Sequence, residues 1–317
     1  MIERRLRIAL ASMLGCLCLV GAARADDGAM RMGMFVLWAR TPDGADGGGR
    51  EANLRDWEKR LHLPPSTLLA LDFYGNETWE EMYSRQWVPA YWARRDPNRK
   101  LIWSIHLAMK GTPLGDVANG LHDAEFQAGA RAIARSQPDA IIRIGWEMNG
   151  DWFPWAAAGR EADYIAAYRR VVAIFRAASP KFSFDWCVNW GPNAAPADLA
   201  YPGDDVVDTI GMDVYDAKTD KDPVARWRDE VLNAPYGLRW LDDFAARHDK
   251  KMSLGEWGLG LKDAPDNPYF VERMSGWLKA HSARVAFHVY FDVPPLAEGK
   301  FPRGRERFIE LFSAPRR

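Results

Sequence analysis

The sequence predicts a single (β/α)8 barrel, the TIM-barrel architecture of the α/β class. Short runs rich in β-branched and aromatic residues alternate with longer stretches of helical period, which is the pattern of βα units around a parallel sheet. Eight such runs occur in the roughly 290 residues that follow an N-terminal leader, and this length fits one barrel. The alternative is a doubly wound sheet, but no Gly-x-Gly-x-x-Gly follows the first run.

The predicted strands recur along the whole chain. In order they are Met32–Trp38, Leu68–Tyr74, Leu101–His106, Ala140–Trp146, Phe182–Asn189, Val207–Tyr215, Lys251–Trp257 and Val285–Phe291. The helical patterns between them include Trp79–Arg94, Ala124–Arg135, Ala162–Ala178, Val224–Arg247 and Pro268–Ala280. No linker or low-complexity segment interrupts this alternation, so residues 26–317 are predicted to form one catalytic domain.

Residues 1–25 have the features of a signal peptide. Three arginines among the first seven residues precede an apolar run over residues 8–23, and Ala23-Arg24-Ala25 supplies a small-x-small cleavage pattern. A membrane anchor is one alternative, but the run is shorter than the roughly 20 residues that span a bilayer. A lipoprotein modified at Cys16 or Cys18 is another. We expect an exported protein, periplasmic or extracellular, with no membrane span after the leader is removed.

Charge and composition argue against several partners and reaction classes. With 42 basic and 43 acidic residues, the chain has no excess positive charge with which to hold a nucleic acid. The six histidines include no His-x-His or His-Glu-x-x-His pattern, and no Gly-x-Ser-x-Gly occurs, so metal-dependent and serine hydrolases are disfavoured. Two of the three cysteines lie in the leader, which leaves Cys187 without an internal disulfide partner. We expect a monomer that needs no cofactor.

Two glutamates stand where predicted strands open into loops. Glu147 follows the fourth strand and Glu256 ends the seventh, and these strands lie nearly opposite each other at the rim where barrel enzymes carry their chemistry. Retaining glycoside hydrolysis needs two carboxyl groups about 5 to 5.5 Å apart, one protonated and one ionised. The tryptophan-rich surroundings of Glu147 predict a raised pKa, while Arg143 and a tyrosine hydroxyl could keep Glu256 ionised. A surface charge or salt bridge is the structural alternative for either residue.

The segment after the fourth strand resembles a known family. It matches the acid/base motif of glycoside hydrolase family 26, retaining β-glycanases of clan A that act mainly on β-mannans. The matching residues are Arg143, Glu147, Met148, Asn149, Gly150, Trp152 and Trp155. The resemblance implies that Glu147 is the acid/base and Glu256 the nucleophile. Residues 211–215 are similar to the strand-six segment of the family, which implies that the Tyr215 hydroxyl bonds the nucleophile.

One position departs from this motif. The family usually has His immediately before the acid/base, whereas this chain has Trp146. An indole offers a single N–H for the polar contact that is normally made there. The substrate could therefore be a β-mannan or a different polymer, such as a bacterial exopolysaccharide.

Further side chains at strand ends are candidates for binding sugar. Flat amphipathic rings suit the apolar faces of sugars as well as a protein core, and the chain has fifteen tryptophans. The predicted substrate-binding set comprises Arg143, Trp146, Asn149, Trp152, Trp155, Tyr215, His106, Asn189, Trp190, Trp257 and Tyr290, with Trp38 as a further stacking candidate. Core packing, helix capping or structural hydrogen bonding is the alternative role for many of them.

These features predict a secreted retaining endo-β-glycosidase that cleaves a β-linked polysaccharide by double displacement. Glu256 would attack the anomeric carbon, and Glu147 would protonate the leaving oxygen and then activate water. The alternative from another class is a non-catalytic carbohydrate-binding barrel, in which the aromatic cleft is kept but the two carboxylates are misplaced.

Overall fold

Eight parallel strands close into a barrel in the computed structural model of the protein. The structure describes residues 30–36, 48–63, 69–74, 78–80, 87–216, 220–260, 264–292 and 300–315. The predicted signal peptide and Trp38 lie outside the described residues.

The strands follow one another around the barrel in chain order, and β8 pairs with β1 to close it. They are β1 Arg31–Val36, β2 Leu69–Tyr74, β3 Leu101–Ile105, β4 Ile141–Ile144, β5 Ser183–Asn189, β6 Thr209–Asp216, β7 Lys251–Leu259 and β8 Val285–Asp292. The predicted fold class is therefore confirmed. Where both ends are described, the predicted and observed strand ends coincide or differ by one or two residues.

The helices lie outside the strands. They are α1 Gly48–Arg60, α2 Trp87–Arg95, α3 Leu114–Ala118, α4 Asp123–Ser136, α5 Glu161–Ala178, α6 Pro223–Arg226, α7 Leu238–Arg247, α8 Pro268–Ala280 and α9 Pro302–Phe312. No helix in these described ranges is long and apolar enough to cross a membrane.

The prediction of one continuous helix over residues 224–247 is wrong. The short helix α6 runs into a π-helical turn at Trp227–Leu232, and α7 begins only at Leu238. Pro235 and Gly237 lie in the intervening turn. Proline cannot donate a helical hydrogen bond and glycine has a low helix propensity, so the helical period continues in the sequence while the backbone turns.

The connection from β5 to β6 also departs from strict alternation. Residues 190–208 contain a 3₁₀ turn at Ala197–Ala200 and no α-helix. Aromatic rings fill this part of the outer layer, since Trp186 on β5 lies 5.0 Å from Tyr201 and 5.8 Å from Phe244 of α7, measured between ring centroids. The barrel is therefore covered here by side chains rather than by a helix of its own.

The barrel interior has an apolar and a polar part. Five buried residues of β1, β3, β4 and β8 form one apolar cluster, namely Phe35, Ile102, Ile141, Phe287 and Val289. On β4 to β7 the fully buried side chains include the polar residues Arg143, Asp185, Asp213 and Ser253. This polar part lies beneath the two glutamates.

Candidate active site

The turn after β4 aims Glu147 over the end of the barrel. Gly145 and Glu147 both have left-handed backbone angles, with φ of 50° and 53°. The Glu147 N–H donates to the carbonyl of Cys187 at 2.9 Å, and its own carbonyl accepts from Gly150 at 3.0 Å. A left-handed glutamate is uncommon and is kept only where neighbouring contacts hold it. These backbone bonds are what fix Glu147 at the rim.

The carboxylate of Glu147 has two donors and little access to water. Its Oε1 accepts from Asn189 Nδ2 at 2.7 Å, and its Oε2 accepts from Trp152 Nε1 at 2.8 Å. Only 9% of the residue is exposed. Burial and then the charge of Glu256 raise the pKa of Glu147, while the Asn189 bond, Arg143 and the Trp152 bond oppose that rise. The predicted direction of the pKa shift therefore agrees with the geometry, and the group is suited to carry a proton.

Asn149 holds Asn189 rather than a ligand. Its Nδ2 donates to the Asn189 carbonyl at 2.8 Å, and its Oδ1 accepts from the Asn189 N–H at 2.9 Å. Asn149 is completely buried. The prediction that it binds substrate does not fit the structure, because both ends of its amide are used on the backbone. The partner residue Asn189 is the one that faces the acid/base.

Glu256 is held from two sides. Arg143 Nη1 donates to its Oε1 at 2.8 Å, and the Tyr215 hydroxyl donates to its Oε2 at 2.6 Å. Only 7% of Glu256 is exposed. Since Arg143 lies on β4 and Glu256 on β7, this ion pair crosses the barrel interior. Both oxygens of Glu256 act as acceptors, as predicted from Arg143 and a tyrosine.

A bulge in β7 directs Glu256. Gly211 of β6 pairs with Ser253, but Asp213 pairs with Glu256, so β7 contains one extra residue between these pairs. An extra residue bends a strand and re-aims the side chains beyond it. A Cβ on Gly255, inside the bulge, would lie 2.8 Å from Arg143 Nε, so glycine lets the guanidinium approach the strand. Sequence reasoning did not detect this bulge.

Asp213 and Cys187 complete the polar layer below the glutamates. Arg143 Nη2 bonds Asp213 Oδ2, and the Cys187 thiol donates to Asp213 Oδ1 at 3.2 Å. Burial raises the pKa of Asp213 well above its usual range, the charge of Arg143 lowers it, and the charges of both glutamates raise it further. Asp213 lies two positions before Tyr215, on the same face of β6, so strand alternation could have revealed it.

An aromatic cluster supports the acid/base loop. The Trp146 ring packs 5.4 Å from His106, 5.1 Å from Phe153 and 4.9 Å from Trp155, and its centroid lies 5.2 Å from the Arg143 guanidinium carbon. Trp155 is completely buried and donates to the Trp146 carbonyl at 2.7 Å. The prediction that Trp155 binds substrate does not fit, because its ring is covered by its neighbours. His106 is half-buried beside this cluster.

The remaining predicted aromatic residues divide between rim and core. Trp152 is 49% exposed, and half-buried Trp190 lies 6.2 Å from Tyr215 between ring centroids. Trp257 and Tyr290 are completely buried and pack against each other at 4.9 Å. Their assignment to sugar binding is therefore corrected. Trp257 follows Glu256 directly, so strand alternation turns its ring to the opposite face, away from the cleft.

The described residues contain no group of three or more His, Cys, Asp or Glu side chains that could hold a metal ion. The site consists of two buried carboxyl groups at one mouth of a barrel, one with a raised pKa and one bonded to a cation and a hydroxyl. That arrangement, on this fold, defines the class of TIM-barrel glycoside hydrolases.

Comparison with known proteins points to one family. Residues 124–240 match the model of glycosyl hydrolase family 26, so this part of the chain is similar to that family. Endoglucanase H of Acetivibrio thermocellus is 33% identical over 132 residues, which are 38% of this chain and 15% of that protein. Mannan endo-1,4-beta-mannosidase of Bifidobacterium adolescentis is 30% identical over 182 residues, 54% of this chain and 18% of that protein. The chain thus spans less than a fifth of the length of either curated relative.

Solved structures of the family share the fold. The catalytic domain of a Bacillus sp. JAMB-750 GH26 endo-β-1,4-mannanase aligns with a TM-score of 0.62 at 17% identity, covering 90% of this chain and 86% of that one. A modular endo-β-1,4-mannanase from Cellulomonas fimi aligns with a TM-score of 0.61 at 21% identity, covering 89% and 72%. At these identities the likeness carries the fold alone.

Proposed function

We propose that the protein is a retaining endo-β-glycanase that cleaves a β-linked polysaccharide by double displacement. The observation that carries this proposal is the contrast between two buried glutamates. Burial raises the pKa of Glu147, whereas both oxygens of Glu256 accept hydrogen bonds from Arg143 and Tyr215. One group is thereby suited to donate a proton and the other to attack as a carboxylate.

The two steps assign one role to each group. In the first, Glu256 forms a bond to the anomeric carbon while the glycosidic C–O bond breaks, and the Glu147 proton passes to the leaving oxygen. In the second, the Glu147 carboxylate takes a proton from water as that water attacks the anomeric carbon and releases Glu256. Two inversions give net retention, and Glu147 ends protonated as it began.

The names of the relatives and the residue before the acid/base support the proposed substrate class. The names of the relatives refer to glucan- and mannan-cleaving enzymes and to internal cleavage, which favours a β-linked hexose polymer. Trp146 fills the position before the acid/base with a buried ring rather than a polar one, so a bacterial exopolysaccharide stands beside β-mannan as a candidate. Export to the periplasm or outside the cell is proposed from the leader, and sequencing the N-terminus of the mature protein tests cleavage after Ala25.

Product analysis tests the mechanism. Purified protein is incubated with β-1,4-mannan, mixed-linkage β-glucan and bacterial exopolysaccharides, and new reducing ends are measured. We expect Glu147→Ala and Glu256→Ala to lose this activity, while Glu272→Ala, an exposed carboxylate on α8, retains it.

Azide separates the two roles. With an activated β-aryl glycoside, azide should restore Glu147→Ala and give a β-glycosyl azide, because it replaces the second-step water. With Glu256→Ala it should give the α-azide, because it replaces the missing nucleophile. Binding of a glycan by the wild-type protein without any new reducing ends would instead indicate a carbohydrate-binding barrel.

A further inference from the structure

A second aromatic surface lies beside the cleft, on the part of the barrel that has no helix between β5 and β6. Tyr236, two residues before α7, and Trp240, in the first turn of that helix, have ring centroids 4.9 Å apart. Trp240 Nε1 donates to Asp198 of the 3₁₀ turn at 3.2 Å, and the neighbouring Leu199 is 61% exposed. We call these four residues, Asp198, Leu199, Tyr236 and Trp240, the crossover patch.

The crossover patch continues from the rim of the active site. The N–H of Gly191 donates to the Tyr236 carbonyl at 3.2 Å, which ties the patch to the residue that follows Trp190. The Trp190 ring lies 6.2 Å from Tyr215, whose hydroxyl bonds the nucleophile. The buried Tyr215 ring and the half-buried Trp190 ring therefore lie between the nucleophile and Gly191, whose backbone bonds that of Tyr236 in the patch.

The composition of the crossover patch suits a sugar. Aromatic rings stack on the apolar faces of pyranoses, and an exposed carboxylate such as Asp198 has acceptor sites for hydroxyl groups beyond the one that Trp240 uses. A stable protein interface needs about 800 Å² from each partner. The four residues of the patch offer much less, so a glycan chain fits this surface better than a second protein.

We propose that the crossover patch is an additional binding site for the β-glycan chain, which runs from Glu256 past Trp190 to Tyr236 and Trp240. This inference rests on the proposed function, because it takes the occupant to be a remote segment of the chain that is being cleaved. Binding so far from the reacting bond is shared by the ground state and the transition state, so it lowers KM for long chains without changing kcat.

Tyr236→Gly is the central variant. The Tyr236 backbone has a φ of 52°, a conformation that glycine adopts without strain, so the ring can be removed while the turn is kept. Trp240→Ala is the second variant, and Tyr91→Ala removes a half-buried ring from α2, on the other side of the barrel, as the matched control. Thermal unfolding verifies that each variant is folded.

Two readouts test the proposal. KM for β-1,4-mannan or mixed-linkage β-glucan should rise roughly threefold to tenfold in both patch variants, with kcat and the kinetics on trisaccharide substrates unchanged. In native electrophoresis through gels containing each polymer, both patch variants should be retarded less than the wild type, and Tyr91→Ala as much as the wild type.

The outcomes separate this inference from the proposed function. Retardation of the wild type without any cleavage, reduced in Tyr236→Gly, would overturn the proposed function and support the patch. Cleavage with equal KM and equal retardation in wild type and patch variants would overturn the patch alone. Self-association of the wild type that Tyr236→Gly abolishes, with polymer retardation unchanged, would also overturn it.

Discussion

The hydrogen bond from Trp152 to Glu147 should set the upper pH limit of activity. Trp152→Phe removes the N–H that donates to Oε2 at 2.8 Å but keeps an aromatic ring against Gly150, where a Cβ would collide with the indole. That bond lowers the pKa of Glu147. Its loss should therefore raise the pKa and keep Glu147 protonated to higher pH.

The size of the effect follows from the strength of such bonds. A hydrogen bond to a charged group is worth about 1.5 to 3 kcal/mol. Trp152 is 49% exposed, so water replaces part of the lost bond, and we take about 0.7 to 1.4 kcal/mol as the net change. At 1.36 kcal/mol per pKa unit this is an upward shift of about 0.5 to 1 unit.

The pH profile of kcat/KM reports this shift, because its alkaline limb follows the acid of the free enzyme. The matched control is Trp190→Phe, which removes another half-buried indole at the rim. Its alkaline limb should stay in place, since the side chains that donate to the Glu147 carboxylate in the described structure are Asn189 and Trp152. An alkaline limb that stays fixed or moves to lower pH in Trp152→Phe would refute the assignment of Glu147 as the acid.

Three further predictions concern the supporting residues. Tyr215→Phe should lower kcat/KM about tenfold to a hundredfold with unchanged folding, because Glu256 loses its 2.6 Å donor; equal steady-state kinetics would contradict this role. Gly255→Ala should lower the free energy of unfolding by about 1 to 3 kcal/mol, measured in urea, because the new Cβ meets Arg143. Burial raises the pKa of Asp216 to about 6, so the folded state binds this proton more tightly than the unfolded state and stability falls as pH rises from 4 to 6. Asp216→Asn should reduce this decrease in the free energy of unfolding between pH 4 and 6 by about 2 to 3 kcal/mol. A pH dependence of stability equal to that of the wild type would contradict the prediction.

The strands and the two glutamates could be predicted because they depend on local pattern and on the general placement of chemistry in barrels. Apolar runs bounded by turns indicate the strands, and carboxylates at strand ends indicate the rim. The helical period over residues 224–247 was misleading, since tertiary packing around Pro235 and Gly237 decides where that chain turns. Local pattern also gave no sign of the β7 bulge, which depends on pairing with two neighbouring strands.

The roles of individual side chains were harder to predict than their positions. Asn149 and Asn189 are the same residue type near the same rim, and only the three-dimensional contacts show that the first fixes the second. Trp155 and Trp257 carry the same ring as Trp152, but they are covered by neighbours while Trp152 is open to solvent. Residue type indicated sugar binding equally for all three, and burial separated them.

Because Glu147 has a left-handed backbone conformation, the residue that would make this position more stable is not the residue that catalysis needs. A non-glycine residue in that conformation costs on the order of 1 kcal/mol, and glycine at the same place would relieve the cost. Laboratory evolution that rewards survival on heating alone is therefore expected to discard the proton donor. A screen that keeps the protein useful must demand cleavage in every round.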